Sequence, residues 1–256
     1  MSFPTKKSST DAGERIMDSI ELLTPRVLYE DNHLLVLNKK SGEIVQGDHT
    51  GQVTLLDLGK QYIKAKYDKP GNAFLGLPHR LDQPVSGAVL FARTSKALVR
   101  LNQMIFDRAI TKIYWAVVKN LPPKPSDTLV HYIVRHRDKN KSYSYDNQRK
   151  NSSQAELHYR LIASGDNYHL LEINLITGRH HQIRSQLSII GCPVKGDLKY
   201  GAPRPNPDAS IHLHARYLRL MHPVKEEPVE IIAPVPDDPL WNFFERTLSD
   251  HIKPIS

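Results

Sequence analysis

The chain is short of cysteine, of long apolar runs and of clustered metal ligands, and each shortage closes off a class of function. Cys192 is the single cysteine in 256 residues. Neither an intrachain disulfide nor a cysteine-based zinc site can therefore form. That fits a reducing compartment, and the cytoplasm is the expected setting. No run of about 18 apolar residues occurs, so no membrane-spanning helix is expected. The opening MSFPTKKSSTDAGER lacks the apolar core of a signal peptide; residues 1–25 read as a flexible lead-in. His212, His214 and His222 lie close together near the C-terminus. No cysteine or carboxylate stands at ligand spacing to them, so no metal is expected, and strand packing is the simpler reading.

What is present is ordinary for a globular enzyme: 39% hydrophobic and 24% charged residues. Lysine and arginine number 35 against 27 aspartate and glutamate, a formal net charge of +8. The excess favours a polyanionic partner such as RNA or DNA, although a basic enzyme with a small substrate fits the charge as well.

The pattern along the chain predicts one α+β domain over residues 26–256, built around a large mixed, mainly antiparallel sheet. RVLYEDNHLLVLNK reads as a hairpin about Asp31-Asn32. Residues from Leu55 read as a helix with Thr54 as N-cap, and those from Ser95 as a second helix capped by Ser95 itself. TKIYWAVV and NYHLLEINLI read as strands, as do HLHARYLRL and EPVEIIAPV. Between Thr128 and Tyr159 the β pattern is interrupted by RDKNKSYSYDNQRKNSS, expected to be an exposed hairpin tip. Trp241, Phe243 and Phe244 read as a helix that caps the core.

Two segments carry chemistry. PHRLDQPVSGAVLFART, residues 78–94, sets His79, Arg80 and Asp82 at the mouth of an apolar strand. TGRHHQIRSQL, residues 177–187, predicts a helix from about His180 whose start suits a phosphate or carboxylate. A surface helix with solvated basic residues is the plainer alternative. An aspartate is ionised at neutral pH. An arginine partner would thus aim the Asp82 carboxylate without consuming it, and a planar, bidentate Arg184–Asp82 pair would do so best. Such a carboxylate can attack an anomeric carbon or add to an activated double bond. Ordinary glycoside hydrolysis needs a second carboxyl group, and none stands out near either segment.

HRLDQPVSG, TKIYWAVV, TGRHHQIRSQL with the following G-C-P-V-x-G-D-x-x-Y-G, and LHARYLRLMHP together resemble the RluA-type pseudouridine synthases. The four motifs stand in that family's order, and the resemblance runs from about Arg26 onward. The resemblance implies an isomerase that detaches uracil at N1 and rejoins it through C5 in structured rRNA or tRNA, without cofactor or metal. It implies Asp82 as nucleophile, Tyr114 as the stacking tyrosine and candidate base for the C5 proton, and Arg184 as the arginine paired with the aspartate. Leu187 would line the pocket under the base, and Arg80 would enter the stack when the target nucleotide is flipped out. His79 could contact a phosphate or fix its own loop by an internal hydrogen bond; Arg179, Lys195 and Lys199 are candidate phosphate contacts or solvated charges.

The chain departs from the family pattern at Lys40, where proline is usual, and at Gln83-Pro84-Val85 after the aspartate. The expected form is a short member without a separate N-terminal RNA-binding module, with a monomer as the default state and RNA as the partner. Two other classes compete: a catalytically silent RNA-binding protein on the same fold, and a nucleoside hydrolase or small-molecule glycosylase.

Overall fold

The structure, a computed structural model, describes residues 20–47, 51–68 and 70–251. Most of the expected lead-in lies outside them. Ten strands form one sheet: β1 (Val27–Glu30), β2 (Leu34–Lys39), β3 (Ser86–Ala92), β4 (Thr111–Val118), β5 (Ser126–His136), β6 (Lys141–Tyr145), β7 (Ser153–Ser164), β8 (His169–Leu175), β9 (Leu213–Met221) and β10 (Pro228–Ile232). Their order is β1-β2-β3-β9-β4-β8-β7-β5-β6, with β10 also paired to β9. Every pairing is antiparallel except β3 with β9. The expected α+β class and mainly antiparallel sheet are what the structure shows.

Among the elements that lie wholly within the described residues are four α-helices: α1 (Leu55–Lys66), α2 (Ser95–Phe106), α3 (Gln182–Ile189) and α4 (Pro239–His251). α1 starts where expected, since Thr54 and Asp57 satisfy each other's backbone N–H groups in a capping box. α2 is capped by Thr94 rather than Ser95: the Thr94 hydroxyl accepts from Ala97 N at 3.1 Å. Adjacent hydroxyls compete for one cap, and only the residue left extended wins it.

Strand periodicity divides the core between the two faces. Along β4, Tyr114, Ala116 and Val118 join one cluster with Leu55 and Ile63 of α1 and Leu187 of α3. Trp115 and Val117 point the other way, onto Trp241 and Phe244 of α4. α4 caps the core as expected through these two residues, while Phe243 is 41% exposed and lies outside it. His212 and His214 pack on Trp241. His212 binds Asn206 and Asp238, and His214 binds Ser86 and the Ala233 carbonyl, so both rings are fully engaged by protein groups.

The stretch expected to be a hairpin tip contains β6. The strand eluded the pattern because its one buried residue, Ser142, is polar and no apolar alternation marks it. α3 likewise departs from the solvated-helix alternative: Gln182 through Leu187 are all buried.

Candidate active site

The loop bearing Asp82 is fixed from below by a buried lysine. Lys39, at the end of β2 and 1% exposed, donates through Nζ to the carbonyls of Lys40, Gln83 and Val85 at 3.0, 2.9 and 2.6 Å. Burial lowers its pKa to about 8. The loop turns with Val85 N donating to Asp82 O at 3.1 Å, and Ile211 N holds Pro84 O. The chain then enters β3 at Gly87, whose φ is +113° and whose position against β9 leaves no space for a Cβ: one built there would meet Ala215 O at 2.4 Å. Glycine is required at that point by both conformation and contact.

His79 takes the role of loop fixation. Its Nε2 accepts from Leu90 N in β3 at 3.0 Å. Burial, helped by Lys112, lowers its pKa to about 4. The ring is neutral at pH 7 and brings no positive charge to a phosphate.

Asp82 faces a cleft of about 670 Å³ whose wall includes Arg80, Lys112, Tyr114, Arg179, His181 and Arg184. That volume is typical of a ligand pocket, roughly 300–1,000 Å³. The Asp82 side chain is 25% exposed, and its Oδ2 accepts from Arg184 Nη1 at 3.1 Å. Oδ1 has no hydrogen-bond donor among the described residues, so one oxygen is anchored and the other is open to the cleft. Arg80 is exposed at the rim and makes no hydrogen bond to a described residue. It is not the partner of Asp82; Arg184, 102 residues on, is.

The pairing geometry differs from the bidentate Arg184–Asp82 fork. Arg184 gives its fork to Asp197, through Nε to Oδ2 at 2.6 Å and Nη2 to Oδ1 at 2.9 Å, and only Nη1 is left for Asp82. Burial works against the guanidinium charge, but Asp197 and then Asp82 outweigh it and raise its pKa. Asp197 is 2% exposed and both its oxygens are occupied. It is a second carboxylate beside the site, yet it is not free to act as a glycosidase acid.

Leu187 does not line the cleft. It is wholly buried in the core cluster with Tyr114 and Leu81, while Ile183, one turn earlier on the same face of α3, forms the wall. α3 begins at Gln182, two residues later than expected, because His181 caps it with a left-handed backbone, φ 53° and ψ 29°. A non-glycine residue pays about 1–2 kcal/mol for that conformation. It is held there by its ring: Nδ1 meets Tyr200 Oη at 2.9 Å, the ring stacks on His180 at 3.8 Å, and Nε2 lies 3.5 Å from Asp82 Oδ2. Tyr200 Oη already accepts from Ser142 N at 2.9 Å. Tyr200 thus links Ser142 to His181, whose Nε2 is the ring nitrogen nearer Asp82. Burial, then Arg184, lowers the His181 pKa to about 2, so a neutral ring stands beside the carboxylate.

Tyr114 is 7% exposed, and burial, with the Asp82 charge nearby, pushes its phenol pKa up. Arg179 borders the cleft while its Nε donates to Gln154 O at 3.0 Å. Lys195 is turned away, lining a separate cavity and bonded to Asn206 at 2.6 Å. Lys199 donates to Asn140 O at 3.1 Å. Sequence reasoning gave no role to Lys112, His181, Asp197 or Tyr200. The signal for the last two was the G-D-x-x-Y-G spacing: a 3-10 turn, Leu198–Tyr200, sets Asp197 and Tyr200 on opposite sides of Arg184.

The mixed sheet that carries this cleft is a fold that known proteins share. Residues 33–188 match the family model described as RNA pseudouridylate synthase. The chain is 31% identical to ribosomal large subunit pseudouridine synthase C of Vibrio vulnificus over 90% of this chain and 72% of that protein. It is 33% identical to ribosomal large subunit pseudouridine synthase D of Xylella fastidiosa, covering 83% of this chain and 66% of that one. The solved structure of human RNA pseudouridylate synthase domain containing 4 superposes with a TM-score of 0.74 at 26% identity, over 93% of this chain and 97% of the human one. The chain belongs to the RluA-type RNA pseudouridine synthase family, isomerases that convert uridine in RNA to pseudouridine. Among the described residues no helix is long and apolar enough to cross a membrane.

Proposed function

We propose that Asp82 is the nucleophile that isomerises a uridine of structured ribosomal RNA, flipped out of its helix into the cleft. The observation that carries this reading is the asymmetry of the Asp82 carboxylate: Oδ2 is anchored by Arg184, and Oδ1 is open to the cleft. Oδ1 is the oxygen available for bond formation, at the ribose C1′ or at the uracil C6. In the net reaction the C1′–N1 bond breaks, C1′ bonds to C5, the C5 proton leaves, and N1 regains a proton; nothing is oxidised or reduced.

Tyr114 supplies the aromatic platform for the uracil. Burial and Asp82 keep its phenol protonated, so it can take the C5 proton only in concert with an acceptor for its own. Arg80, exposed at the rim, is placed to fill the gap that the flipped nucleotide leaves. Ribosomal RNA is favoured over tRNA because the relatives from Vibrio vulnificus and Xylella fastidiosa carry that substrate in their names.

The test is to incubate the protein with transcribed rRNA and tRNA fragments and map pseudouridine by carbodiimide-blocked reverse transcription. New stops on an rRNA fragment are expected, and Asp82→Asn should remove them while RNA binding persists. No stops on any fragment, or a fully active Asp82→Asn variant, would sink the reading. Binding without stops would point instead to a silent RNA-binding protein.

A further inference from the structure

The cationic surface of the molecule is unevenly compensated. Elsewhere in the chain some cations are paired with carboxylates, among them Arg26 with Glu43, Lys66 and Arg93 with Glu30, Lys124 with Asp127, Arg160 with Glu172, and Arg216 with Glu245, and others stand singly. The hairpin of β5 and β6 concentrates unpaired cations in one short stretch. Residues 135–150 hold Arg135, Arg137, Lys139, Lys141, Arg149 and Lys150 against only Asp138 and Asp146, half of the chain's net charge of +8. None of the six forms an ion pair among the described residues, although both aspartates lie within the same hairpin.

Its aromatic residues serve the cations. Lys141 Nζ sits 5.1 Å from the Tyr143 ring centroid and 5.0 Å from that of Tyr200, and the Arg149 guanidinium lies 5.4 Å from Tyr145. One face of each ring is thus set against a cation. The rings hold positive charge at fixed positions along a strand of five residues, about 17 Å long.

The hairpin is also joined to the site. Ser142 N donates to Tyr200 Oη, the Ser142 hydroxyl meets His180 Nδ1 at 2.8 Å, and Ser144 donates to Ser185 at 2.9 Å. The charge of Arg135 contributes to lowering the pKa of both His180 and His181. The uncompensated charge therefore begins where the cleft wall ends.

We infer that the β5–β6 hairpin is a docking surface for the phosphate backbone of the RNA that flanks the target uridine. This rests on the proposed reading of the cleft as a site for a flipped uridine, and extends it beyond the cleft. A dense set of exposed cations, two of them held over tyrosine faces, suits phosphate contacts. The hairpin would then supply affinity and register and leave the choice of base to the cleft.

The experiment uses the triple variant Arg137→Glu/Lys139→Glu/Lys150→Glu; all three side chains are exposed. Arg246→Glu, on α4 across the sheet, is the charge control. Binding of a fluorescein-labelled RNA stem-loop with a uridine in its loop is measured over a series of salt concentrations, in an Asp82→Asn background. Removing one cation from a phosphate takes about 0.7–0.9 from the slope of log K against log salt, so the triple variant should lose about 2–3. Its Kd should rise at least about tenfold at 0.1 M salt, with the control near the parent. With Asp82 restored, the loss should fall on KM rather than kcat. An unchanged slope and Kd would overturn the inference. So would unchanged RNA binding with altered sedimentation, which would make the hairpin a protein contact. Since binding is read without turnover, failure of the chain to make pseudouridine would overturn the proposed function and leave the hairpin result intact.

Discussion

Replacing Asp197 with asparagine keeps the shape of the side chain and removes the charge that holds Arg184. In the native site Asp197 accepts from Nε at 2.6 Å and Nη2 at 2.9 Å, with 2% of its surface exposed. Asparagine offers one acceptor and turns an NH₂ group toward the other donor. One charge-assisted hydrogen bond, about 1.5–3 kcal/mol, is lost outright. The guanidinium is left buried with Asp82 as its only carboxylate partner, and breaking a buried pair in this way costs about 3–5 kcal/mol in all. For a chain of this length that corresponds to a fall in Tm of roughly 6–20 °C.

The freed fork would also turn onto Asp82 and occupy Oδ1, the oxygen now open to the cleft. Asp197 is therefore a positioning residue, and its effect should fall on kcat more than on KM. Thermal denaturation and single-turnover pseudouridine formation, the latter well below the lowered Tm, separate the two effects. A variant with native Tm and native kcat would refute the reasoning, since Arg184 would then hold its place without Asp197. A lowered Tm with unchanged kcat would show that Asp197 serves the fold alone.

Gly87→Ala should destabilise the protein by more than about 3 kcal/mol, because the added methyl meets Ala215 backbone at 2.4 Å and the φ of +113° disfavours any side chain; urea denaturation with an unchanged midpoint would contradict the close approach of β3 and β9. Stability should fall as the pH drops below about 6.5. Burial lowers the pKa of His214 to about 4 and that of His181 to about 2, so below 6.5 the unfolded chain binds protons that the folded one refuses. Each of these buried rings should remove up to about 1.4 kcal/mol per pH unit between pH 6 and 5. Denaturation midpoints that stay flat across that interval would show that the two rings are charged in the folded protein.

The frame of the molecule was legible where burial imposes a period. β8 alternates, β4 is a continuous apolar run buried on both faces, the apolar residues of α1 recur at helical spacing, and the sheet class followed from them. The residues of the loop that bears Asp82 were legible because HRLD stands with three other motifs in order. What escaped depends on contacts between distant polar groups. β6 is tied to His180, Ser185 and Tyr200 by two hydroxyls and a backbone N–H rather than by apolar side chains. The division of Arg184 between two carboxylates is set by where the turn after Cys192 delivers Asp197. Leu187 matched a motif position, but it lies one turn deeper than Ile183, inside the core, and Ile183 forms the cleft wall.

The place of β9 orders events in time as well as in space. It lies between β3 and β4, pairing in parallel with Ser86 and Gly87 and antiparallel with β4. Asp82 precedes β3 and Tyr114 lies in β4, yet the strand that brings them side by side is made about a hundred residues after Tyr114. On a growing chain the two halves of the site have no sheet in common until β9 has emerged. Such long-range pairing also slows folding. A partly synthesised chain therefore has Asp82 and Tyr114 but not the strand that sets them side by side.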